Sequence, residues 1–237
     1  MGDHSPKPPA AQGSAQSGSI EAFLEKARGV TESASRGRLI FALDATMSRQ
    51  PTWNMAQSIQ GEMFRTTAAQ GGLDVQLVYF RGFGECRASR FVSGGEGLGA
   101  LMSRISCRGG RTQIGKVLRH ALDESRAARV GALVYIGDAM EERVDSLAAA
   151  AGELGLLGVK TFMFQEGQDA ATQHAYREIA RLTGGAYATF DATAPRRLAE
   201  LLAAAAAYAV GGRLELERRA DEGEGAARLL LSQIGRG

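Results

Sequence analysis

Cysteine is nearly absent: Cys86 and Cys107 are the only two in 237 residues. That excludes a disulfide-stapled secreted scaffold, and two reduced thiols in a cytoplasmic chain are the expectation. Long apolar runs are missing too. The richest stretch, Leu201 to Val210, is short and mostly Ala, well below the roughly 18 apolar residues a membrane-spanning helix needs. The first 18 residues lack the apolar run of a signal peptide, and Pro6 stands where a myristoylation motif needs Ser or Thr. Charge of one sign is scarce: 28 Lys plus Arg against 26 Asp plus Glu leave +2. Nucleic-acid binding through bulk charge is therefore not expected. Only four of the cations are Lys, a GC-rich coding bias that points to a bacterial source. The 31 glycines follow no three-residue period, which excludes collagen. What remains, 44% hydrophobic and 23% charged residues, is the composition of one ordinary globular domain.

Residues 1–18 are rich in Pro, Gly, Ser, Gln and Ala in irregular order and read as a disordered arm. A helix is expected over 20–34, from Ile20, Phe23, Leu24 and Ala27 at helical spacing. Leu39 to Leu43 is an apolar run without polar alternation, ending at Asp44; such a run fits a strand covered on both faces. A helix over about 52–69 follows, stopping at Gly71-Gly72, then a strand over 75–80. The Gly82-Phe83-Gly84 turn joins that strand to Cys86–Val92, and so short a connection requires an antiparallel hairpin. Helices are expected over 97–105 and 112–127. A buried-type strand over 132–136 runs into Gly137-Asp138. A helix, a strand over 159–164, a helix and a short strand over 186–190 come next. The last helix opens at Pro195 and stops at Gly211-Gly212, Pro in its first turn and Gly at its C-cap. Strand and helix alternate almost throughout. The expected fold class is therefore α/β, a Rossmann-like doubly wound and mostly parallel sheet of six strands, with one antiparallel edge strand and helices on both faces. The domain is expected over 19–212. Residues 213–237 read as a tail that docks on its own domain, or as a docking segment for another protein.

In such a sheet, ligands bind beyond the carboxyl ends of the strands where strand order reverses. Three loops can meet there: Asp44-Ala45-Thr46-Met47-Ser48, Gly109-Gly110-Arg111-Thr112, and Gly137-Asp138. They offer two carboxylates, Asp44 and Asp138, and three hydroxyls, Thr46, Ser48 and Thr112. All are hard oxygen donors, which suits Mg²⁺ with Mn²⁺ as a substitute. In an extended loop, side chains at i, i+2 and i+4 point the same way, so Asp44, Thr46 and Ser48 can converge on one ion. The competing role for these three is capping of the next helix.

These residues resemble the metal-ion-dependent adhesion site of von Willebrand factor type A (vWA) domains, written Asp-x-Ser-x-Ser, then Thr, then Asp. Here the pattern reads Asp44-x-Thr46-x-Ser48, Thr112 and Asp138, with Thr46 in place of the first Ser. The resemblance covers roughly residues 37–209. It implies direct ligation by Thr46, Ser48 and Thr112, action of Asp44 and Asp138 largely through water, and one coordination position left for a carboxylate of a partner. The function it implies is Mg²⁺-dependent protein–protein interaction, as adaptor or scaffold, without catalysis. Bacterial members of the family often resemble partners of ATP-driven chaperones or metal chelatases, and such a machine is the expected class of partner. Arg49, Trp53 and Arg111 flank the loops and are candidates for partner contact, with core packing the alternative for Trp53. Arg81, Arg87, Arg90, Arg104, Arg108 and Arg111 could form a cationic rim that steers an acidic partner.

The rival class is an enzyme, a metal-dependent phosphoester or nucleotide hydrolase using the same ion. Gly110 to Val117 comes near a phosphate-binding P-loop, but Val117 replaces the magnesium-binding Ser or Thr, and the segment before Gly110 reads as a helix where a strand is required. No general base suggests itself. His4, His120 and His174 are too scattered to form a metal set.

Overall fold

The computed structural model describes residues 36–67, 72–191 and 193–235. The expected arm and the helix over 20–34 lie outside the described residues. From residue 36 onward the chain forms one compact unit.

Six strands form one sheet: β1 (Gly37–Asp44), β2 (Leu73–Arg81), β3 (Glu85–Ser93), β4 (Ala132–Gly137), β5 (Lys160–Glu166) and β6 (Ala186–Phe190). Their order is β3-β2-β1-β4-β5-β6. Only the β2–β3 hairpin is antiparallel; every other neighbouring pair is parallel. β1 lies between β2 and β4, so the chain builds outward first to one side and then to the other. The switch point therefore falls at the carboxyl ends of β1 and β4, beside Asp44 and Asp138.

Strand parity divides the core. Leu39, Phe41, Leu43, Val134, Ile136 and Phe162 point to one face. Ile40, Ala42, Leu133, Tyr135 and Met163 point to the other. Both sets are buried, which is why β1 and β4 have no polar alternation. On the first face lie α1 (Gln50–Ile59), α2 (Gly61–Thr67), α3 (Gly95–Met102), α7 (Pro195–Asp221) and α8 (Gly225–Leu231). The second carries α4 (Ile114–Ala127), α5 (Val144–Leu156) and α6 (Ala170–Thr183). In β2 the register with β3 shifts between Gln76 and Val78. The Leu77 amide inside that bulge donates instead to Ser89 Oγ at 3.1 Å.

Two expectations need correction. The single helix expected over 52–69 is two short helices that meet at Gln60. The last helix does not end at Gly212. The chain kinks there, with φ 63° and ψ −153° at Gly212, and resumes helix to Asp221. Glycine adopts that backbone without a Cβ penalty, so the same residue that signals a stop serves as a hinge. Beyond it, Leu216, Ala220, Ala227, Leu230 and Ile234 are buried in the core of the first face. Charge and Leu alternate from Arg213 to Glu217. In the helix, Leu214 points to solvent and Leu216 inward. No helix of the described residues is long and apolar enough to cross a membrane.

Candidate metal and partner site

β1 delivers Asp44 to the switch point with only 2% of its surface exposed. Its Oδ1 accepts the Thr46 amide at 2.7 Å, which folds the loop back over the strand end. Thr46 Oγ1 then lies 3.4 Å from Ser48 Oγ. The two hydroxyls lie side by side although Ser48 sits in a 3-10 turn and not in the extended loop that was expected. A 3-10 turn over Met47–Arg49 follows and leads into α1. Thr46 stands at the N-cap of that turn without a side-chain cap bond, and the N-cap of α1 is Arg49, which makes none either.

Asp138 is the first residue past β4. It is close enough to raise the Asp44 pKa through charge repulsion. Thr112 reaches the same edge by another route. Its Oγ1 accepts the Glu141 amide at 3.1 Å, and its own amide donates to Glu141 Oε2 at 3.2 Å. This reciprocal pair ties the Gly109–Thr112 loop to the loop that carries Asp138. The other end of the Gly109–Thr112 loop is fixed by the Arg108 amide on Ala45 O and the Arg111 amide on Gly82 O, at 3.0 and 3.1 Å. A Cβ on Gly110 would fall 2.2 Å from Gly82 O, so the close approach of loop and hairpin needs glycine there. The structure thus gathers Asp44, Thr46 and Ser48 in one loop, places Asp138 close enough to repel Asp44, and ties Thr112 through Glu141 to the loop that carries Asp138.

Burial dominates the electrostatics of this point. Burial pushes the Asp44 pKa up to about 6, against the Thr46 hydrogen bonds that lower it; Asp138 raises it further and Arg49 lowers it. Because its folded-state pKa lies above the ordinary value of 3.8, Asp44 costs stability progressively as pH rises from about 4 to about 6, and the full cost persists above that. A bound cation would relieve that cost. The donor chemistry fits a hard divalent ion, since every candidate ligand presents carboxylate or hydroxyl oxygen. Among the described residues, no group of three or more His, Cys, Asp or Glu forms a metal cage. A site of two carboxylates and three hydroxyls is of a different kind.

Arg49 is where the structure departs most from expectation. It is 3% exposed and cannot serve as a rim contact. Its Nη1 pairs with Asp138 Oδ2 at 3.0 Å, and its Nη2 pairs with Glu166 at the end of β5. Nη2 also donates to Thr52 Oγ1, whose hydroxyl donates in turn to Glu166. The protein therefore places its own guanidinium between two carboxylates at the sheet edge. Trp53 is likewise buried, at 1%. It meets Tyr79 edge to face at 6.3 Å and donates Nε1–H to Met102 O at 3.3 Å, so it packs the core instead of facing a partner. Arg111 remains exposed.

Of the expected cationic rim, Arg81 and Arg87 pair with Glu85. Arg108 and Arg111 stand exposed on the Gly109–Thr112 loop, without an ion pair among the described residues. Met47 and Phe83, at 62% and 85% exposure, stand on two loops of the same sheet edge.

Sequence reasoning missed Glu141, Glu142 and Glu166. Glu166 carried a signal: it ends a buried strand at the same edge as Asp44, and the switch-point rule could have been applied to β5 as well. Glu142 accepts the amides of Ile114 and Gly115. It thereby supplies a cap to α4 from another loop, which no local pattern reveals. The P-loop alternative fails structurally, because Gly110 follows an irregular segment after α3 and not a strand.

No protein-family profile matches the chain, and no curated protein matches it in sequence. Solved structures do match in shape. The SpRpn10 VWA domain aligns at TM-score 0.52 and 12% identity, over 66% of this chain and 88% of that one. The chain has a vWA-like fold. Proximal thread matrix protein 1 from the mussel byssus, with a zinc-occupied MIDAS motif, aligns at 0.54 and 17% identity over 72% of this chain and 48% of that one. The PilB minor pilin from Streptococcus sanguinis aligns at 0.54 and 12%, over 78% and 62%. This chain thus spans about half of the mussel protein's length. At these identities the likeness speaks for the vWA-like architecture, the sheet order and the antiparallel edge.

Proposed function

We propose that the chain is a divalent-metal-dependent protein interaction module. Asp44, Thr46, Ser48, Thr112 and Asp138 would hold Mg²⁺, or Mn²⁺ in its place, and the ion would take a carboxylate from a partner. What supports this reading is the Asp44, Thr46 and Ser48 cluster at the end of β1, with Asp138 across the switch point near enough to repel Asp44 and Thr112 tied to the Asp138 loop. The zinc-occupied motif of the mussel protein, which has the same architecture, supports it. A metal with few anionic ligands keeps its attraction for an incoming Asp or Glu, and a neutral side chain cannot make the same bond. Arg108 and Arg111 would add steering for an acidic partner. Met47 and Phe83 would supply apolar contact.

A hydrolase using the same ion would need a general base facing the partner position. The nearby carboxylates are already engaged: Glu166 with Arg49 and Thr52, Glu141 with the Thr112 amide, Glu142 with the amides opening α4. That favours binding over catalysis. The test is capture of a partner on the immobilised chain from source-cell extract. A specific protein should be retained in Mg²⁺ and lost both in EDTA and with Asp138→Ala. Retention indifferent to chelator and substitution would overturn the reading.

A further inference from the structure

A second surface lies at the opposite end of strand order from the hairpin. Among the described residues β6 pairs only with β5, and its other edge carries no strand. One rung of that edge is filled by a side chain. Gln233, just past α8, accepts the Tyr187 amide on Oε1 at 3.0 Å and donates Nε2–H to Tyr187 O at 2.9 Å. A carboxamide thus imitates a neighbouring strand for a single residue. On the inner side, Phe190 O accepts from the Gly167 amide. Strand parity therefore turns Thr189 outward, like Tyr187, with its amide and carbonyl on the edge away from β5. Thr189 is exposed.

Beside this edge runs a groove of ≈720 Å³ lined by three arginines, Arg177, Arg181 and Arg197, and by no carboxylate. Arg181 is paired with Glu178 at 2.7 Å. Arg177 lies over the Tyr187 ring, 5.1 Å from its centroid. Arg177 and Arg197 have no ion pair among the described residues. Leu229 and Ala188 supply apolar floor.

We propose that this groove docks an extended acidic segment of another protein, which pairs with β6 at the Thr189 rung. The backbone rung would give affinity and the arginines the choice of sequence. Arg177 and Arg197, without an ion pair among the described residues, call for carboxylates on the incoming strand. It also disfavours a second copy of this chain, because a symmetric β6–β6 pairing would bring arginines against arginines. The surface is separate from the metal site and needs no ion. Its rival is that the arginines only guard the edge against pairing, in which case no peptide binds.

The test is fluorescence anisotropy at low salt. The probe is a labelled peptide of alternating Glu and Val, about eight residues and so one strand long, with alternating Lys and Val as control. The Glu peptide should bind and the Lys peptide should not. Arg177→Glu with Arg197→Glu should weaken binding at least about tenfold, the loss expected when two desolvated charge pairs become repulsive. Thr189→Pro removes one outward donor and leaves the inner ladder intact; it should also weaken binding about tenfold with an unchanged unfolding midpoint. EDTA and Asp44→Ala should change nothing. Absence of binding, equal binding of both peptides, an unaffected Thr189→Pro variant, or displacement by inorganic polyphosphate or duplex DNA below the concentration of peptide needed would each overturn the proposal.

Discussion

Arg49→Met is expected to lower the stability of the fold by about 3 kcal/mol, the scale for removing one partner of a buried ion pair. For a domain of this size that is a fall in Tm of about 6 to 12 °C. The physical reason is what remains behind. Asp138 and Glu166 keep their charges at the sheet edge, 29% and 18% exposed, with the guanidinium between them gone. Thr52 loses its donor at the same time. Arg49→Lys should recover only part of the loss, because an ammonium cannot repeat the fork across two carboxylates. The variant also links stability to the metal. In the wild type, Mg²⁺ meets a site already partly neutralised. In Arg49→Met it meets extra negative charge, so added Mg²⁺ should raise the Tm of the variant by several degrees more than that of the wild type. Thermal unfolding with and without Mg²⁺ measures both effects. A variant as stable as the wild type would mean that Arg49 does not neutralise this edge.

Trp53→Ala is expected to lower stability by about 4 kcal/mol, the range for truncating a buried aromatic. Trp53→Phe keeps most of the volume and the contact with Tyr79, and should cost about 1 to 2 kcal/mol. Trp53 is the only tryptophan, so emission reports on it alone. The native spectrum should be blue-shifted and poorly quenched by iodide, and partner binding should leave it nearly unchanged. If Trp53→Ala left the denaturation midpoint in place while abolishing partner capture, Trp53 would be a contact residue after all.

The fold was legible where burial writes itself into sequence. β1 and β4 are apolar runs covered on both faces, and the short Gly82–Gly84 turn left the hairpin only one geometry. Those two strands also carry Asp44 and Asp138, so the centre of the candidate site could be read with them. The orientation of Arg49 could not. A 3-10 turn over Met47–Arg49 decides which way that side chain points, and its two carboxylate partners come from β4 and β5, far off in sequence. A flanking Arg therefore looked like a rim contact and is a buried counter-charge. Trp53 follows the same logic: its proximity to the metal loop is a matter of one helical turn, and that turn faces the core. Residues 213–235 pack on their own domain, one of the two readings that their apolar residues allowed; the sequence did not reveal that a glycine hinge at Gly212 lets the helix resume. Glu141 and Glu142 serve helix α4 and Thr112 from another loop, and only the folded chain brings them there.

The most direct test of the central claim is a Mn²⁺ titration followed by electron paramagnetic resonance, in which bound ion leaves the six-line signal of free Mn²⁺. The wild-type chain should take up one equivalent, released by excess Mg²⁺, while Asp44→Ala and Asp138→Ala, folded by circular dichroism, should take up none. A wild type that leaves the free signal undiminished, or variants that bind as it does, would contradict the account.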